Sequence, residues 1–133
     1  ISYSQDTPRS IAEVKINVTD VRSNNGVIYV LVYESPIGFP HETNFARGLF
    51  VINVLETPTS SLELEGLPYG DYVFLVIHDQ TRSGFPQINR PQVPRQAFGI
   101  SNVFKLPFFM PKWDEAKVTI DQPEMVFDIK LFY

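Results

Sequence analysis

"LPYGDYVFLVIHDQTRSG", residues 67–84, decides how this chain folds. Pro68 presets φ for a tight corner and Gly70 supplies a positive-φ position, so Tyr72 opens a new strand with its ring pointing inward. Six uncharged residues follow from Tyr72 to Ile77, and the run stops at His78-Asp79. A strand half-exposed to water alternates apolar and polar side chains, whereas this one is apolar on both sides and needs cover on both faces.

Outward from this strand, alternation with period two dominates. In "AEVKINVT" (12–19), Val14, Ile16 and Val18 face one way and Glu13, Lys15 and Asn17 the other. "SNNG" (23–26) reads as a hairpin turn of the Asn-Gly kind leading into "VIYVLVYE". Further strands are expected at 48–55, 61–67, 71–78, 116–121 and 124–133, connected as successive antiparallel neighbours. Strands 12–19, 61–66, 116–121 and 124–133 are apolar on one side only; strands 27–33, 49–55 and 71–78 are apolar on both. Only 41–48, "HETNFARG", suggests a short helical turn, and Asp114-Glu115 reads as a turn.

The expected fold is therefore all-β: an antiparallel sandwich of about seven strands, in transthyretin-like and broadly immunoglobulin-like style. Residues 1–11 form a polar leader and 12–133 a single domain, with a long loop excursion (79–115) after the fifth strand. That excursion, rich in Phe and Pro, is the segment available to fold back over the two-sided strands.

The composition narrows the function. With 133 residues the chain makes one domain that buries a sizeable core without staples. There is no Cys, which excludes disulfides, thiol catalysis and Cys-based metal sites. Apolar stretches are too short to cross a bilayer, so an integral membrane protein is not expected. The chain opens at Ile1 rather than Met and these residues include no signal peptide, as in a processed or trimmed form. The net charge of −4 argues against nucleic acid as a partner. The charge is unevenly spread: residues 80–113 hold Arg82, Arg90, Arg95, Lys105 and Lys112 and no acid, whereas the remainder is strongly acidic.

Several segments taken in order resemble a bacterial family known as domain of unknown function 2141: "VTDVRSNNGVIYVLVYESPIGFP", "LEGLPYGDYVFLVIHD", "FGISN" and "DEAKVTI". The resemblance runs from about residue 13 to the end of the chain. It implies a β-sandwich and export to the periplasm, cell envelope or exterior, and it implies no particular activity. After the His-Asp pair, family members resemble one another in an Asn/Asp- and Gly-rich loop. Here that loop reads Gln80-Thr81-Arg82-Ser83-Gly84-Phe85, so an ion site implied by the family does not carry over.

Among candidate sites, a calcium loop would use Asp79, Thr81, Ser83 and the Phe85 carbonyl, with Gly84 at the bend. Two of its acids are replaced by hydroxyls, Arg90 stands where a bidentate Glu belongs, and Arg82 adds a further cation, so no metal is favoured. His41 and His78 fall at opposite ends of the sandwich and do not pair. No nucleophile elbow or base beside a nucleophile is present, so neither a catalytic residue nor a cofactor is expected.

Pro68, Gly70, Tyr72, His78 and Asp79 have structural roles: the corner, the strand it starts, and the core's edge. "FGISNVFKLPFFMPKWDEA" (98–116) is the most unusual tract, with Phe104, Phe108, Phe109, Met110 and Trp113 among Lys105 and Lys112. Its rings either cover the two-sided strands or form a contact surface. The expected binding surface is Arg82, Arg90, Arg95, Lys105, Phe108, Phe109, Lys112 and Trp113, offered to a partner protein or a cell-envelope polymer.

Overall fold

The computed structural model describes residues 10–40, 42–82, 96–107 and 109–133. Two sheets face each other. One has three strands in the order β4-β1-β8: β4 (Ser60–Pro68), β1 (Ile11–Thr19) and β8 (Glu124–Lys130). The other has the order β3-β2-β5-β6: β3 (Gly48–Ile52), β2 (Val27–Tyr33), β5 (Gly70–Asp79) and β6 (Ala97–Ile100), and β7 (Val118–Ile120) also pairs with β5. The all-β sandwich is as expected. Among the described residues no helix is long and apolar enough to cross a membrane.

The space between the sheets is filled as the alternation dictates. Val14, Ile16 and Val18 of β1 pack against Ile28, Val30 and Val32 of β2 and Tyr72, Phe74 and Val76 of β5. Burial of each such side chain is worth about 1.5–3 kcal/mol. In β4 both Leu64 and Leu67 are buried although they are three apart. A register shift between Ala12 and Val14 places an extra residue in β4, and Gly66, at φ +70, takes the positive-φ position. This bulge returns Leu67 to the core face.

β5 and β2 are buried on both faces, as their composition requires. The outer face carries Leu31, Tyr33, Val73, Leu75 and Ile77, joined by Phe98 and Ile100 of β6. Phe39, Val103, Met110, Trp113 and Phe132 close over it. In its described part, the excursion therefore acts as the expected lid.

Five sequence expectations need correction. The stretch read as loop contains a strand, β6, which pairs with β5 from Leu75↔Ile100 to His78↔Ala97 and brings the described strands to eight. Four residues ending in a Gly-Ile pair were too short to stand out as a period. The strand expected at 116–121 is the shorter β7, and it follows a one-turn helix α1 (Trp113–Ala116) that holds Asp114 and Glu115.

The "SNNG" segment is not a hairpin. β1 and β2 belong to different sheets, so the segment crosses the sandwich. Gly26, at φ +84, is needed because a Cβ there would lie 1.9 Å from the Asp79 carbonyl oxygen. Nor are all neighbours antiparallel, since β8 runs parallel to β1 from Glu13↔Glu124 to Thr19↔Lys130. Having left β7 in the other sheet, the chain crosses over and enters beside β1 from the same end.

Finally, among the described residues β3 lacks the outer cover expected of a two-sided strand. Leu49, Phe50 and Val51 are 42%, 38% and 42% exposed. The lid reaches β2 and β5, but β3 lies at the sheet's border. The helical turn expected near 41–48 is present as one 3-10 turn, Thr43–Phe45.

Candidate binding surface

The corner residues behave as their chemistry predicts. Tyr72 is buried, and its hydroxyl donates a 2.6 Å hydrogen bond to the Pro68 carbonyl, tying the start of β5 to the end of β4. At the other end of β5, His78 and Asp79 are each 1% exposed. His78 Nε2 lies 2.8 Å from the Asn25 carbonyl and Nδ1 lies 2.6 Å from the Tyr133 hydroxyl. A carbonyl only accepts, so Nε2 carries the proton and Nδ1 accepts from Tyr133. Both ring nitrogens are thus used to close the core's edge, the structural role expected for His78.

The turn after β5 is ordered locally. The Arg82 N–H donates to the Asp79 carbonyl at 3.5 Å, Arg82 takes φ 54, and the Thr81 hydroxyl donates to Asp79 Oδ1 at 3.4 Å. Ser83 and Phe85, the other members of the calcium reading, lie outside the described residues, as do His41, Arg90, Arg95 and Phe108. Among the described residues no three His, Cys, Asp or Glu side chains are grouped to hold a metal ion.

Within 98–116 the rings divide. Phe98, Met110 and Trp113 turn inward, Trp113 meeting Phe39 edge-on with ring centroids 6.2 Å apart. Phe104, Leu106 and Phe109 turn outward, at 58%, 64% and 72% exposure. Lys105 and Lys112 are exposed beside them, whereas Trp113 is half-buried. Of the residues expected at the binding surface, Arg82, Lys105, Phe109 and Lys112 are exposed, and Trp113 packs mainly in the lid.

The ridge 104–106 separates two open clefts. One, of about 810 Å³, lies between it and Asp20, Arg22, Pro58 and the C-terminal residues Lys130–Tyr133. The other, of about 560 Å³, is lined by Asn102, Pro107, Phe109, Met110, Lys112 and Glu115. Phe104 and Lys105 line both. In the first cleft Lys130 is held by Asp20 at 3.5 Å, and the Arg22 guanidinium lies over the Tyr133 ring at 4.9 Å from its centroid.

The ridge is anchored from beneath by Ser101. Its hydroxyl accepts the Phe74 N–H at 3.1 Å and donates to the Ala116 carbonyl at 2.7 Å, so one buried side chain links β5 to both ends of the lid loop. Sequence reasoning missed Ser101, Leu106 and Arg22. The first two carried only a weak signal, a Ser directly after a strand and an aliphatic among aromatics, and Arg22 none, since it joins the cleft through a distant segment.

The opposite face of the molecule has the other sign. Glu13, Glu63, Glu65 and Glu124 surround Lys15 on the outside of the three-stranded sheet. Of the five cations in 80–113, the described Arg82, Lys105 and Lys112 are exposed.

The fold and this surface define a β-sandwich in which one outer sheet face is roofed by a loop lid with a basic, apolar ridge. The chain matches, over residues 16–127, the model of the family described as "Uncharacterized protein conserved in bacteria (DUF2141)", and it belongs to that family. No curated protein and no solved structure matches the chain.

Proposed function

We infer that this chain is a non-catalytic, exported binding module that grips a partner protein through the exposed side chains of Phe104, Lys105, Leu106, Phe109 and Lys112. The observation carrying this reading is the outward turn of Phe104, Leu106 and Phe109 beside Lys105 and Lys112, while neighbouring rings of the same tract are used up in the lid. Contiguous apolar side chains left exposed on a folded surface mark contact sites. The partner's complementary patch is apolar with an acidic rim. A cell-envelope polymer is the second occupant considered at sequence level. The ridge carries an exposed aliphatic Leu106 beside its rings, which suits an apolar protein groove better than a sugar ring. Export rests on the family resemblance.

The test uses the purified chain immobilised and challenged with envelope extract of a bacterium that encodes it. Capture of one protein by the natural sequence should be lost in Phe104→Ser/Leu106→Ser and weakened in Lys105→Glu, with unchanged melting temperatures. Equal capture by all three, or retention only of polysaccharide, would rule the proposal out.

A further inference from the structure

The five-stranded sheet ends at β3, and among the described residues no strand pairs with its outer border. A bare edge strand offers a row of backbone donors and acceptors, and folded proteins usually blunt it with charge, Pro or a bulge. The outer strands of the other sheet are blunted in this way: β4 presents Glu63 and Glu65, and β8 presents Glu124 and Asp128. β3 is different. From Gly48 to Leu55 there is neither a charge nor a Pro, and Leu49, Phe50 and Val51 are all exposed.

We propose that β3 pairs with β3 of a second copy of this chain, antiparallel about a two-fold axis at Phe50, so that two five-stranded sheets become one continuous sheet. The strand is complementary to itself. Leu49 and Val51 oppose Leu31 and Tyr29 and so lie on the lid face, whereas Gly48, Phe50 and Ile52 oppose Val32, Val30 and Ile28 and lie on the core face. Opposed residues of antiparallel strands share a face. Centring on Phe50 sets Leu49 against Val51 on one face and Gly48 against Ile52 on the other, with no side chain mismatched.

Moving the axis one residue loses this fit, because Leu49 then meets Asn53 or Val51 meets Arg47. Gly48 is already overlain by Phe50, since a Cβ on Gly48 would lie 2.9 Å from the Phe50 ring. At the ends of the pair, Arg47 is opposite Asn53 and its charge is held by Glu34 at 2.8 Å. No like charges meet, although each copy carries a net −4. The acidic sheet face lies on the other layer and stays in water.

Sedimentation of the full chain across a dilution series tests this. A monomer–dimer equilibrium is expected, and Val51→Lys or Leu49→Glu should each weaken it at least tenfold, as exposed positions whose substitution leaves the fold intact. Mixing the two variants should restore association as a heterodimer, because the introduced ammonium of one copy then faces the introduced carboxylate of the other. A chain that stays monomeric, a dimer indifferent to Val51→Lys, or a mixture that fails to re-associate would each overturn the proposal. So would a dimer seen only after removal of residues 1–9, since the edge would then be covered by the chain itself. Phe104→Ser/Leu106→Ser should leave the dimer unchanged, which separates this result from the fate of the partner-binding ridge.

Discussion

The Tyr133 hydroxyl donates a 2.6 Å hydrogen bond to Nδ1 of His78, and their rings meet edge-on with centroids 5.7 Å apart. This contact joins the C-terminal segment to the end of the central strand, 55 residues earlier. Tyr133 also accepts the Arg22 N–H at 3.1 Å, so the crossover between sheets is drawn into the same chain of bonds. Tyr133→Phe should cost about 1–2 kcal/mol, since it leaves the buried Nδ1 without a donor. Denaturant melts measure the loss, and the nitrogen spectrum of His78 should show Nε2 protonated in the natural sequence.

Removing the hydroxyl beneath the lid should cost more than its size suggests. Ser101→Ala orphans a buried N–H on Phe74 and a buried carbonyl on Ala116, for about 2–4 kcal/mol in total. Hydrogen exchange should show the loss of protection concentrated at Phe74 and Lys117, not spread through β1 and β4.

Two glycines with positive φ should respond differently to Ala. At Gly66 nothing lies within 4 Å of an added Cβ, so only the backbone cost of about 1–2 kcal/mol applies. At Gly26 the same backbone cost is joined by a collision with the Asp79 carbonyl, which is fixed in the sheet. Gly26→Ala should be the more damaging by thermal melt, and it should loosen the end of β5.

Stability should fall at high pH through Tyr33. Burial, then the nearby Glu42 charge, pushes its phenol up to about 12 from the usual 10.0. Because the folded value is the higher, the unfolded chain gives up its proton first. The contribution is fully present below pH 10 and is lost as pH rises toward about 12, for a total of about 2–3 kcal/mol. Tyr33→Phe should flatten this part of the stability profile; an identical decline in both proteins would show that the loss comes from elsewhere.

The sandwich was legible because its cause is local. Alternation along β1 and β8, and the lack of it along β2 and β5, follow from which side chains tolerate water, and that property is written residue by residue. The corner Pro68–Tyr72 was equally legible, since Pro, Gly and a capping hydroxyl act within five positions. Even the need for a lid could be inferred, because apolar residues on both sides of a strand require cover wherever it comes from.

Pairing and facing were decided only by the tertiary structure. Whether "SNNG" turns within a sheet or crosses between sheets depends on which partners β1 and β2 find, and β1 bonds to β4 and β8 instead of β2. The parallel course of β8, the short β6 and the edge of β3, unpaired among the described residues, follow from the same non-local choice. In the lid tract, Trp113 and Phe109 are both large aromatic side chains, yet one meets Phe39 and the other meets water. Periodicity sets what each side chain prefers, but an uncovered place on the sheet accommodates only some of the rings that would fill it, and the geometry of the closed fold makes that selection.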